Sequence, residues 1–109
     1  MKEYLIKIIN HYGIEQQLRK FQEEVFELNE AIIRYEEFNN HIDNLEVYDI
    51  DETELKKEHI AEEIADVFNL VEQFMYFYNI DIQDVIEIKH KKIHRQLERI
   101  ENEKDNKNN

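Results

Sequence analysis

Residues 14–38, IEQQLRKFQEEVFELNEAIIRYEEF, carry one continuous apolar stripe. Large apolar side chains recur there at alternating steps of three and four residues, at Leu18, Phe21, Val25, Leu28, Ile32 and Tyr35. This spacing is typical of one face of an α-helix. The stretch therefore predicts a long helix whose apolar face packs against neighbouring helices.

The rest of the chain also favours helices. Its 109 residues include one Gly and no Pro, so it lacks the residues that tight hairpins most often need. We expect an all-α, four-helix bundle-like domain over residues 1–100, and a flexible polar tail without apolar periodicity over residues 101–109. Gly13 is placed to end the first helix in a left-handed conformation. The four helices are expected at about 2–11, 14–38, 51–79, and from 81 or 84 to 100.

Residues 39–52, NNHIDNLEVYDIDE, interrupt the helical pattern. Asn and Asp cluster there, and their side chains favour turns by bonding to nearby backbone groups. We interpret this stretch as a connection, with a short helical turn at about residues 45–48.

Composition excludes several classes of function. With 26 acidic and 14 basic residues the chain has a net charge of -12, which argues against binding a nucleic acid polymer. It contains no Cys for a disulfide or thiolate site, and no run approaches the roughly 20 apolar residues of a membrane span. The N-terminus lacks a signal-peptide pattern, so a cytoplasmic location is the default expectation.

The end of the third predicted helix suggests an oligomer. Residues 74–78, FMYFY, are apolar or aromatic on every side, and such a helix is normally buried on every side. We expect a subunit interface there, in a homodimer or homotetramer that completes the bundle. A central helix in a tight monomer is the alternative.

Two pairs of acidic residues repeat one helical spacing. Glu24 and Glu27 lie three residues apart on the second predicted helix, as do Glu63 and Asp66 on the third, so each pair can converge on one ion. Like charges about 4 Å apart repel by roughly 4 kcal/mol at an effective dielectric near 20, so a cation is expected among them. An all-carboxylate set suits Mg²⁺ or Mn²⁺. Ordinary solvated helix faces are the alternative.

These motifs carry a family resemblance. The stretches QEEVFELNEAI and EHIAEEIADVFNLVEQF resemble the MazG-like, all-α nucleoside triphosphate pyrophosphohydrolases, which carry EExxE and then ExxD on successive antiparallel helices. The matching residues are Glu23, Glu24, Glu27, Glu63 and Asp66, and the resemblance covers roughly residues 12–100. The long separation between the motifs departs from the family and is explained by the 39–52 stretch.

The resemblance implies Mg²⁺-dependent attack of water on the α-phosphorus, which releases a nucleoside monophosphate and pyrophosphate. It implies that the four residues of the two acidic pairs are metal ligands, and that Glu23 and Glu27 are the catalytic residues, with Glu23 positioning the water or a ligand. A housecleaning role towards surplus nucleotides follows. A dUTPase-like relative and a non-catalytic helical interaction protein are the alternatives.

Five further residues are candidates for substrate binding. Residues 87–109 hold 7 of the 14 basic residues but only 5 of the 26 acidic ones, and the resemblance implies that Lys92 and Arg95 contact phosphates. They can instead pair with acidic helices. Gln17 and Phe21 are candidates to line a base pocket, and Asn69 to hydrogen-bond a ligand. Phe21 can equally belong to the core, and Asn69 to a polar helix face.

Overall fold

The computed structural model describes residues 1–42 and 50–108, except for the side chains of residues 41, 42, 50, 51 and 108. These residues form four α-helices and no strand, so the all-α fold is confirmed. The predicted helical turn at residues 45–48 lies outside the described residues. None of the described helices is long and apolar enough to cross a bilayer. The helices are α1 (Lys2–Tyr12), α2 (Ile14–Ile42), α3 (Ile50–Phe77) and α4 (Ile82–Asn108).

The chain divides into two compact units. The first, Met1–Phe77, contains α1, α2 and α3, and the second, Tyr78–Asn109, contains α4. Within the second unit, Asp81 caps α4, because its Oδ1 accepts a hydrogen bond from the backbone N–H of Gln83 at 2.8 Å. The helix continues to Asn108, past the expected end near residue 100. Glu101, Glu103, Lys104 and Lys107 favour this extension, which has no apolar stripe, while the flexibility of residues 101–109 stays a prediction.

Gly13 joins α1 to α2 without an intervening loop. Its N–H donates to the carbonyl of Ile9 at 2.8 Å, and its own carbonyl accepts from the N–H of Gln17 at 3.1 Å. One residue therefore ends α1 and begins α2. Its φ of 87° is positive, as expected, but its ψ of 155° is extended, in a region that essentially only glycine adopts.

Helices α2 and α3 pack antiparallel in the first unit, and α1 packs mainly on α3. The direction follows from two contacts at opposite ends of the pair. Near the start of α2, Gln17 bonds to Gln73 late in α3. Near the end of α2, the ring of Phe38 lies 4.9 Å from the ammonium of Lys56, early in α3. The two acidic motifs, which lie midway along α2 and α3, are therefore adjacent across the helix pair.

The seam between α2 and α3 is partly polar. The buried side of α2 carries Gln17, Glu24 and Ala31 at intervals of seven residues, and α3 buries Glu63 and Leu70 at the same interval. Seven residues are nearly two helical turns, so each series lies on one face. The apolar contribution to the interior is small and consists of Ile9, Ala31, Leu70 and Met75.

Only part of the predicted apolar stripe of α2 therefore faces the interior. Leu18, Val25 and Ile32 remain 47%, 41% and 41% exposed, one position beyond the buried series. The sequence pattern identified the helix correctly but centred its buried face on the wrong positions. The true face is rotated towards the acidic residues.

Gly13→Ala should lower the free energy of unfolding by about 1–3 kcal/mol, because a side chain strains this backbone conformation. A Cβ at this position meets no atom within 4 Å, so strain and not a clash is the cause. Urea unfolding followed by circular dichroism measures the change. Asn29→Ala, at an exposed position of α2, is the control and should change stability by less than about 0.5 kcal/mol. Equal stability of Gly13→Ala and wild type would contradict the strain.

Candidate metal centre

Three carboxylates meet at the seam between α2 and α3. One oxygen each of Glu24, Glu63 and Asp66 lie within 4.8 Å of one another. Glu24 and Glu63 are only 5% and 8% exposed, whereas Asp66 is exposed. The antiparallel pairing thus brings residues from both acidic motifs together, with one open side.

Two oxygens of this cluster lack partners. The Oε2 atoms of Glu24 and Glu63 are buried and make no hydrogen bond with any described residue. Buried polar atoms are normally paired, and an unpaired charged group is especially costly. A hard divalent cation such as Mg²⁺ or Mn²⁺ fits this all-oxygen set and would satisfy both atoms. The residues present therefore suit the metal that the sequence predicts.

The two buried carboxyls have opposite proton affinities. Burial raises the pKa of Glu63, and the negative charge of Glu27, a hydrogen bond with Glu24 and the charge of Glu24 raise it further. Burial is the largest influence on Glu24 and acts to raise its pKa, but the hydrogen bond and charge of Lys20, at 3.1 Å from Oε1, and hydrogen bonds with Glu63 and Glu27 together lower it more. The net pKa of Glu24 is thus below its ordinary value. Glu63 is the member of the cluster that binds a proton more readily.

Glu27 stands beside the cluster. It is exposed, and among the described residues it is not part of the group within 4.8 Å. Its charge nevertheless acts on Glu63, and the two side chains line a common cavity of about 370 Å³. Its predicted roles as metal ligand and catalytic residue stay predictions.

A cleft of about 640 Å³ opens beside the carboxylates, between α1, α2 and α3. Glu24 and Asp66 line it, and so do three of the other candidates from the sequence, Gln17, Glu23 and Asn69. One cavity is therefore lined by part of each acidic motif and by the two predicted polar residues Gln17 and Asn69, while Glu27 and Glu63 line the other cavity.

Phe21 lies elsewhere and does not line this cleft. Its ring packs edge-to-face on Phe74 with 5.5 Å between centroids, which is the core role left open by the sequence. The side-chain amide of Gln17 donates from Nε2 to Oε1 of Gln73 at 2.8 Å. Both amides are buried, so this pair fixes the inner wall of the cleft.

Lys92 and Arg95 belong to the second unit. They share a groove of about 690 Å³ along α4, which Lys89 and Arg99 also line. Four basic residues therefore line one groove of this helix. The contact of Lys92 and Arg95 with substrate phosphates stays a prediction.

Among the cleft residues that the sequence did not single out are Tyr12, Arg19, Lys20 and Gln73. Two of them had a usable signal. Lys20 precedes Glu24 by four residues, a spacing at which opposite charges pair on a helix. Gln73 follows Asp66 by seven, which places both on one face. Tyr12 gave no signal, because nothing in its own helix indicates that α1 borders the cleft.

No family model, curated protein or solved structure matches this chain. Its chemistry is therefore argued from its own side chains. Those side chains form a carboxylate cluster suited to a divalent cation, at the edge of a polar cleft.

Glu63→Gln should stabilise the metal-free protein at neutral pH. The raised pKa of Glu63 means that its contribution to stability is fully present below the unfolded-state value of 4.5 and is lost as pH rises through the folded-state pKa. In EDTA, wild type and Glu63→Gln should be similarly stable below pH 4.5. Above the folded-state pKa the variant should gain about 1–3 kcal/mol. Urea unfolding at a series of pH values measures the difference.

The matched control for this experiment is Glu62→Gln, which removes a neighbouring exposed carboxylate. Its stability relative to wild type should change by less than about 0.5 kcal/mol over the same pH range. A Glu63→Gln variant less stable than wild type at neutral pH would mean that the carboxylate is already satisfied without metal.

Proposed function

We propose that this protein is a Mg²⁺-dependent nucleoside triphosphate pyrophosphohydrolase of the MazG-like type. The observation that carries the proposal is the cluster of Glu24, Glu63 and Asp66, with two buried oxygens that lack partners. An interaction surface has no need of such atoms, because solvated acids would serve equally well. Burying them is costly unless a cation binds.

The adjoining cleft supports a nucleotide as the ligand. Its volume of about 640 Å³ is within the range of roughly 300–1,000 Å³ found for small-molecule sites. Amides of Gln17, Gln73 and Asn69 offer donors and acceptors for a base or sugar, and Ile8 and Tyr12 offer apolar surface. Two carboxylates of the cluster, those of Glu24 and Asp66, lie on the wall of the same cleft, where a triphosphate could reach them.

In the proposed reaction, a water oxygen bonds to the α-phosphorus while the bond from that phosphorus to the bridging oxygen of the β-phosphate breaks. Pyrophosphate leaves, and the proton lost by the water goes to an acceptor. Glu23, exposed on the wall of the cleft, is placed to orient that water, and Glu27 is the second candidate to accept the proton. Mg²⁺ held by Glu24, Glu63 and Asp66 would neutralise phosphate charge and lower the pKa of a coordinated water.

The assembly that we propose is a homodimer. The first unit exposes an unusually large amount of apolar side chain for its few buried residues. On α3, Phe68 is 62% exposed, and on α2, Phe26 is 63% exposed. A partner copy covering these faces would supply the core that the unit lacks. The protein would act on nucleotides in the cytoplasm.

A panel of NTPs and dNTPs, including dUTP, should show release of pyrophosphate and not orthophosphate from at least one substrate, and only with Mg²⁺ or Mn²⁺. Glu63→Gln should lower turnover by at least about 100-fold while keeping its helix content. Coupled detection of pyrophosphate measures the rate. Saturating metal should also raise the stability of wild type, by about 2.7 kcal/mol at 100 times Kd.

Glu62→Gln again provides the control and should keep the turnover of wild type. Orthophosphate as the product would indicate a phosphatase. Stability indifferent to both metals, together with an inactive panel, would favour the helical interaction protein.

Phe68→Glu should convert the proposed dimer to a monomer, because it places a charge in an apolar interface. Sedimentation equilibrium at several protein concentrations measures the molar mass. Tyr4→Glu, which alters an exposed aromatic residue of α1, is the control and should leave the mass unchanged. A wild-type protein that is monomeric at all concentrations would contradict this assembly.

A further inference from the structure

The cationic side chain of Lys20 contacts the carboxylate cluster. Its Nζ lies 3.1 Å from Oε1 of Glu24, one helical turn further along α2. The two side chains differ in exposure, since that of Lys20 is 53% exposed and that of Glu24 is buried. The hydrogen bond and charge of Glu24 raise the pKa of Lys20, so its ammonium is charged at neutral pH.

This contact leaves the cluster incompletely neutralised. Lys20 supplies one positive charge to one oxygen of Glu24, while Oε2 of Glu24 and Oε2 of Glu63 remain without a partner. A divalent cation brings twice the charge and can bind oxygens from several residues at once. The ammonium and the metal would therefore compete for Glu24, and the metal would be the stronger ligand.

The ammonium of Lys20 could also contact a ligand in the cleft. Its side chain lines the cleft, next to that of Arg19, and most of its length is free of the protein interior. A Lys side chain has four rotatable bonds and a compact ammonium that binds phosphate oxygens. Released from Glu24, it can turn towards a ligand in the cleft without any movement of the helix.

We infer that Lys20 is an exchangeable cation that holds Glu24 in the metal-free protein and contacts substrate phosphate once a divalent metal has replaced it. The inference rests on the proposed function and deepens it, because it names a phosphate-binding residue on α2. The exchange of Lys20 also couples the binding of the divalent metal to the binding of phosphate. Phosphate gains Lys20 as a partner only after metal binding has freed it, so metal promotes phosphate binding and phosphate promotes metal binding equally.

The first measurement uses Mn²⁺ alone, titrated into the full chain and followed by electron paramagnetic resonance of the free ion. Lys20→Met removes the competing ammonium and should bind Mn²⁺ about fivefold more tightly than wild type. Lys20→Arg keeps the charge and should remain within about twofold of wild type. Lys57→Met is the matched control, because Lys57 is 55% exposed and pairs with exposed Glu54 at 3.9 Å. It should leave Mn²⁺ affinity unchanged.

The second measurement uses inorganic pyrophosphate in excess Mg²⁺, by isothermal titration calorimetry. Lys20→Met should bind it about tenfold more weakly than wild type, whereas Lys57→Met should bind it equally well. In EDTA, wild type should lose most of its affinity for pyrophosphate, and Lys20→Met should differ little from it. If turnover is found, Lys20→Met should raise KM more than it lowers kcat.

The outcomes separate the inference from the proposed function. If wild type binds no Mn²⁺, the proposed function is wrong and the inference falls with it. If wild type binds Mn²⁺ but Lys20→Met binds it equally or more weakly, Lys20 only orients Glu24, and the inference alone is overturned. Unchanged pyrophosphate affinity in Lys20→Met would likewise overturn the transfer of Lys20 to phosphate.

Discussion

The mutual repulsion of two buried carboxylates is the constraint around which the first unit is organised. Glu24 and Glu63 face each other across the seam between α2 and α3, where a hydrophobic pair would have packed more favourably. The site lowers the stability of the packed helices, since two carboxylate oxygens lose hydration without gaining a partner. Such a cost is common where a protein maintains a binding site.

Burial of polar groups also explains why so much apolar surface remains outside. The inward face of α2 is occupied by Gln17 and Glu24, so its neighbours Leu18 and Val25 are displaced to the flank. Positions on the inward face of α2 that hold polar residues of the site cannot also hold apolar residues of the core. The same displacement that creates the carboxylate cluster thus creates the surface for which we propose a partner copy.

The sequence was sufficient for the fold class and for much of the site. Apolar periodicity predicted the helices, and the equal spacing within the two acidic pairs predicted that four carboxylates would converge, of which Glu24, Glu63 and Asp66 do so. It placed the buried face of α2 wrongly, because hydrophobicity alone does not show that a Glu lies at the centre of a seam. Phe21 was a candidate for two roles; the structure shows its packing on Phe74, and its part in a base pocket stays a prediction. Tyr12 could not be found at all, since its place in the cleft depends on how α1 packs.

Gly13 has a consequence for how ligands enter. Because Gly13 belongs to the hydrogen-bonding pattern of both α1 and α2, no loop separates the two helices. An outward movement of the part of α1 that carries Ile8 and Tyr12 would therefore strain or break the hydrogen bonds at Gly13. If the cleft binds the ligand that we propose, the position of this wall depends on a single residue.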